Sequence, residues 1–98
     1  MYNEIRQYIR KHTPEAALYE QIAEEAVELA HAAMKYARAL RGESPTPVNL
    51  GKVQEQMREE YSDVYIAAQT AGVAVEPSVV ELKYIRWFER LRAQEAAK

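Results

Sequence analysis

Arg58-Glu59-Glu60-Tyr61-Ser62-Asp63-Val64 decides how this chain is read, because Glu60 stands where a helix built only for packing would carry an aliphatic residue. At about 100° per residue, Val53, Met57, Val64, Ala67, Ala68 and Ala71 fall on one stripe, and Glu60 lies inside it. Asp63, three positions on, sits at the edge of the same stripe. A carboxylate turned toward a core without a partner loses several kcal/mol of solvation or takes up a proton. Two of them at a helix seam point to a cation facing them, whereas Glu55, Arg58 and Glu59 on the opposite side are ordinary solvated residues.

The helix that carries this stretch is expected to start near Asn49, an N-cap residue type, and to stop at Gly72, which takes the left-handed C′ conformation readily. Before it, Thr13-Pro14-Glu15 predicts a Thr N-cap followed by Pro at the first helical position, and a long helix from about Pro14 to Arg41 ending at Gly42. Its apolar stripe reads Ile22, Ala26, Leu29, Ala33, Tyr36, Ala37 and Leu40, rich enough in Ala for close approach. Glu25 and Glu28 lie on one flank of that stripe, about 60° apart. Pro45 and Pro47 make the connector between the two long helices stiff. Tyr2 to His12 predicts a short helix that must dock, with Tyr2, Ile5 and Ile9 on one side.

A fourth helix, about Pro77 to Glu95, carries one apolar arc of Val80, Tyr84, Trp87, Phe88 and Leu91 and a second of Leu82 and Ile85. Lys83, Arg86 and Arg90 converge between the arcs, within about 60°. Apolar residues on two sides predict packing against its own chain and against another copy. No stretch has the alternation of a strand. The expected fold is therefore all-α: a short N-terminal helix, two long antiparallel helices and a C-terminal helix, in a bundle that oligomerises.

Ninety-eight residues correspond to one domain, 1–98, whose core as a monomer would be thin. There is no cysteine, which excludes disulfide staples and zinc-thiolate sites and fits a reducing cytoplasm. Added stability is expected from self-association or bound metal. A net charge of −2 argues against bulk binding to nucleic acid polymers or acidic lipid. Nothing resembles a secretory h-region or a membrane span, so a cytoplasmic protein is expected. Neither internal repeats nor low-complexity tracts occur.

Two helices that each carry acid-x-x-acid and run antiparallel can bring four carboxylates around one small volume. Hard divalent cations want oxygen ligands, and Mg²⁺ is commonly completed by substrate phosphate. Glu24-Glu25-Ala-Val-Glu28 followed by Glu59-Glu60-Tyr-Ser-Asp63-Val64 resembles the E-x-x-E and E-x-x-D signature of the MazG-like, all-α nucleoside triphosphate pyrophosphohydrolase superfamily. The likeness covers about Ala16 to Arg90. It implies that Glu25, Glu28, Glu60 and Asp63 bind Mg²⁺, with Mn²⁺ as a substitute, and form the catalytic centre. It further implies that Lys83, with Arg86 or Arg90, meets the substrate phosphates and that the chain forms a homodimer or homotetramer. The implied reaction is NTP plus water to NMP plus pyrophosphate, on a canonical, non-canonical or deoxy substrate. Phosphoribosyl-ATP pyrophosphohydrolysis is the neighbouring alternative.

Blander readings compete at each position. One acid-x-x-acid pair is common on solvated helix faces, and only the conjunction of two pairs with apolar stripes favours metal. Glu28-Leu-Ala-His31 matches half of a di-iron motif, but one copy per chain is insufficient and His31 projects to the polar side. His12 is expected to meet the end of its own helix. Tyr36, Tyr61, Tyr65 and Trp87 read as packing residues, one Tyr being available to stack on a base. No Ser-His-Asp or Cys-His set and no Gly-rich phosphate loop is available. A reading from another class is a self-associating helical interaction protein whose acidic pairs are structural.

Overall fold

Glycine and proline divide the chain into helices largely as their backbone chemistry requires. The computed structural model describes residues 2–98. It is all-helical: α1 (Tyr2–His12), α2 (Glu15–Leu40), α3 (Leu50–Ala71) and α4 (Pro77–Ala96). Gly42 and Gly72 both have positive φ, +72° and +80°. Each closes a Schellman pair: Gly42 N–H donates to the Ala39 carbonyl and Glu43 N–H to Arg38, while Gly72 N–H donates to Gln69 and Val73 N–H to Ala68. Asn49 caps α3 as expected, its Oδ1 accepting from Lys52 N–H at 3.1 Å.

The start of α2 differs from expectation. Pro14, with φ −55° and ψ 141°, holds the cap position, and no side chain caps the helix. Its carbonyl takes the first turn's bond from Ala17 N–H instead. The extended ψ of Pro14 moves the helix start one residue on, so Thr13 is left too far back to act as the cap. Thr13 lines a cleft instead.

α2 and α3 form the body of the molecule. Ala17, Leu18 and Glu25 near the start of α2 share a cleft with Asp63, Ala67 and Thr70 near the end of α3, so the two helices run antiparallel. A line of buried and partly buried residues at heptad spacing runs along each helix, flanked by Ala33 and Ala37 on α2 and by Ala68 and Thr70 on α3. On α3 the line is Val53, Met57, Glu60, Val64, Ala67 and Ala71; on α2 it is Leu18, Ile22, Glu25, Leu29, Ala32, Tyr36 and Ala39. Alternate steps of four and three residues make a coiled-coil seam.

The α3 stripe is the one expected; on α2, Ile22, Leu29, Ala33, Tyr36 and Ala37 of the expected stripe are partly buried, and two residues depart from it. Ala26 and Leu40 are exposed, whereas Leu18 and Ala32 are buried. The seam turns through Glu25 where the sequence reading had stepped around it to Ala26, so a charge occupies the packing line on both helices.

α1 docks on α3, with the Arg10 guanidinium 3.6 Å from the position a Cβ would take at Gly72. α4 has no extended contact with α1, α2 or α3, and none of its residues is buried. The expectation that one face of α4 packs on its own chain is therefore not met. The five-residue link Gly72–Glu76 carries the helix away from the body. The radius of gyration is accordingly 17.8 Å, against about 13 Å for a compact chain of this length. No described helix is long and apolar enough to cross a membrane.

Candidate metal centre

Glu25 and Glu60 occupy facing positions midway along the α2–α3 seam, where their apolar neighbours leave each carboxylate partly buried. Asp63, one turn after Glu60, is exposed and reaches the same volume. One oxygen from each of Glu25, Glu60 and Asp63 lies within 4.8 Å of the others. Gln21 donates to Glu25 Oε1 at 2.7 Å, fixing that carboxylate's orientation from one turn earlier. Glu28 is exposed and stays outside the set of three, although its charge acts on Glu60.

Glu60 shows how crowded the site is. Partial burial pushes its carboxyl above the ordinary range, and the charges of Asp63, Glu28, Glu25 and Glu59 push it the same way. No cation offsets them: the ion pairs among the described residues are Arg41–Glu43 and Lys98–Glu95, both distant in sequence and exposed. The donor set is purely carboxylate oxygen, which suits a hard divalent ion and not a thiolate- or imidazole-seeking metal. Opposite ligands across Mg²⁺ stand about 4.2 Å apart. Three oxygens within 4.8 Å of one another are therefore on the scale of a single coordination sphere.

Beside the acids a cleft of about 380 Å³ opens between α1, α2 and α3. Its lining combines the acids Glu25 and Asp63 with the apolar Ile9, Leu18 and Ile66 and the hydroxyl-bearing Thr13 and Thr70. Thr70 Oγ1 donates to the Ile66 carbonyl at 2.7 Å, so its hydrogen is already engaged. The sequence reading missed both this cleft and Gln21. The Gln21–Glu25 pair was legible as an i,i+4 contact, but the cleft depends on where α1 docks.

Lys83, Arg86 and Arg90 do converge, on an open surface of α4 that also includes Trp87 and Glu89. They line none of the acid cleft, and no basic residue is among the charges that act on Glu60. His31 is exposed, as expected. His12 Nδ1 lies 2.8 Å from the Tyr8 carbonyl, and its ring stacks on Tyr8 with centroids 4.1 Å apart, in line with its reading as a helix-end residue. Tyr36 is partly buried, but Tyr61, Tyr65 and Trp87 are exposed and do not pack within this chain. Tyr61 and Tyr65 stand on a face of α3 that α2 does not cover, and Trp87 stands on α4. Comparison with protein families, curated proteins and solved structures found no match.

Proposed function

We propose that the protein is a Mg²⁺-dependent nucleoside triphosphate pyrophosphohydrolase acting as a homodimer or homotetramer. The observation that carries this reading is the break in both heptad seams at one level, where Glu25 and Glu60 face each other with Asp63 and no cation beside them. A helix pair selected only for packing would carry an apolar residue there, as it does at the neighbouring seam positions Ile22, Leu29, Met57 and Val64.

In this reading Glu25, Glu60 and Asp63 hold the divalent ion, and Gln21 keeps Glu25 turned toward it. Such an ion, when bound, supplies an acidified water and neutralises phosphate charge. Glu28, outside the ligand set yet close enough to act on Glu60, is placed to accept the proton from the attacking water. The adjoining cleft, lined by apolar side chains and two threonines, receives the less charged part of the substrate. Lys83, Arg86 and Arg90 meet the triphosphate and stabilise the charge that develops on the departing pyrophosphate.

The test is pyrophosphate release with Mg²⁺ from a panel of canonical and damaged nucleoside and deoxynucleoside triphosphates, with phosphoribosyl-ATP included. Activity on at least one substrate is expected, lowered at least about a hundredfold by Glu60→Gln or Asp63→Asn, consistent with removal of an electrostatic group from a reacting centre. An inactive wild-type chain, or full activity in Asp63→Asn, refutes the reading. The uncovered apolar surface of α4 favours a second reading, a helical interaction protein without catalysis. That reading requires Mg²⁺ and Mn²⁺ to leave the melting temperature unchanged, whereas an ion that binds only the folded chain must raise it.

A further inference from the structure

The α4 helix repeats the heptad spacing of the α2 and α3 seams: Val80, Tyr84, Trp87 and Leu91 recur at intervals of four, three and four. All four are exposed, Tyr84 by 65% and Trp87 by 58%, and no helix of the same chain covers them. A second apolar surface is also uncovered. Tyr2, Ile5 and Ile9 of α1 and Tyr61, Tyr65 and Ile66 of α3 line a groove of about 480 Å³. A seam without a groove and a groove without a seam, both on one chain, are what a two-fold exchange between copies satisfies at once.

The exposed area sets the size of what is missing. The chain exposes 8334 Å², whereas a folded monomer of 11.3 kDa exposes about 5,700 Å². The excess of about 2,600 Å² per chain falls in the range of obligate dimers rather than of transient contacts.

The groove's own lining holds one charged side chain, Arg6, and no acid, so any complementary charge lies beside the groove rather than in it. Residues 1–72 carry eleven acids against eight bases, while α4 carries Lys83, Arg86, Arg90 and Arg92 against Glu81, Glu89 and Glu95. The groove also leads directly to the acid centre, since Ile9, Ile66 and Thr70 line both the groove and the cleft that holds Glu25 and Asp63.

We propose that α4 of each copy lies in the α1–α3 groove of a second copy, and that its Lys83, Arg86 and Arg90 thereby complete the acid centre of that copy in trans. The docking stands on the exposed surfaces alone; the role of the three cations as phosphate contacts rests on the pyrophosphohydrolase reading. The assembly explains why three basic side chains lie along one strip of α4 although that helix has no site of its own chain beside it.

The docking is tested on the full chain with Trp87 replaced by the photo-crosslinker p-benzoylphenylalanine, mixed with isotopically labelled wild type. Irradiation is expected to join the crosslinker to residues 2–9 or 61–70 of the labelled copy. Crosslinks confined to one chain, to α4 of the other copy, or to no copy overturn the proposal. The trans placement is tested by zero-length carbodiimide coupling in the same isotopic mixture. Lys83 is expected to couple to Glu25, Glu28, Glu60 or Asp63 of the other copy, and coupling only to carboxylates outside that cluster, or within one chain, overturns it.

A third arm reads activity, mixing Asp63→Asn with the triple variant Lys83→Ala, Arg86→Ala, Arg90→Ala. In trans, half of the dimers in an equal mixture are mixed and each has one intact site, so about a quarter of wild-type activity returns. In cis nothing returns, which overturns the proposal. Crosslinks as expected from a wild-type chain that hydrolyses no triphosphate support the docking and refute the hydrolase reading alone.

Discussion

Dilution offers a direct measure of how far this fold depends on a second copy. Unfolded, a chain of 11.3 kDa exposes about 16,400 Å², so the 8334 Å² left exposed here means that only about half of the surface is buried. An isolated domain of this size normally buries above 60%, and no side chain of this core is fully sealed from solvent. Folding and association should therefore be one transition, with two chains of 98 residues as its cooperative unit. The unfolding entropy of that unit is about 0.4 kcal/mol per kelvin, from roughly 2.1 cal/mol/K per residue. Each tenfold dilution removes about 1.4 kcal/mol of association free energy, so the melting temperature falls about 3 °C per decade. Calorimetry or circular dichroism over a hundredfold dilution, from about 100 µM to about 1 µM, should show a fall of about 7 °C. A melting temperature independent of concentration, with a single monomeric species in sedimentation, would refute the argument from exposed surface.

Other consequences follow at the acid centre and the α3 cap. In metal-free protein the Glu60 carboxyl titrates above its unfolded value of 4.5. Its protonated form thus contributes stability that is fully present below that value and is lost as pH rises through the folded one. The melting temperature of metal-free Glu60→Gln should accordingly exceed that of wild type at pH 7 and converge with it in acid. Added Mg²⁺ or Mn²⁺ should reverse the order at pH 7, because wild type gains stability with each rise in ion concentration above the dissociation constant and the variant does not. Asn49→Ala removes the one side-chain cap on α3 and should cost about 1 kcal/mol in denaturant titration without changing metal binding.

Helix boundaries were legible in the sequence because they depend on local chemistry. Asn49, Gly42, Gly72 and Pro77 each act on their own turn of backbone, and the structure places them where that chemistry predicts. The α3 stripe was legible for a related reason: Val53, Val64 and Ala71 leave Glu60 no other face. The α2 stripe was legible only in part, since Ala stands at both 26 and 32 and periodicity alone cannot choose which Ala is buried when the side chain is so small. Avoiding a charge in the seam led to Ala26, whereas the structure accepts Glu25 there. The destination of α4 was hidden for a different cause. Two apolar arcs state that the helix is covered, but which chain covers it depends on the direction of the short link after Gly72.

Two features weaken this chain as an isolated monomer. The seam charge at Glu25 and Glu60 lowers the stability of the helix pair that carries it, and the uncovered α4 leaves the same chain short of buried surface. A protein that served only as a scaffold could relieve both by Glu25→Leu and by a longer link that folded α4 back. Either change would be expected to strengthen an isolated monomer, the first by replacing a partly buried carboxylate in the seam with a packed hydrophobe and the second by burying the apolar surface of α4. The two conditions make sense together if the acids need an ion and the ion's phosphate ligand needs cations that the same chain does not bring near. On that argument Glu25→Leu should raise the metal-free melting temperature and abolish its response to Mg²⁺. A variant that gained stability yet still responded to the ion would show that Glu25 is no part of the ligand set.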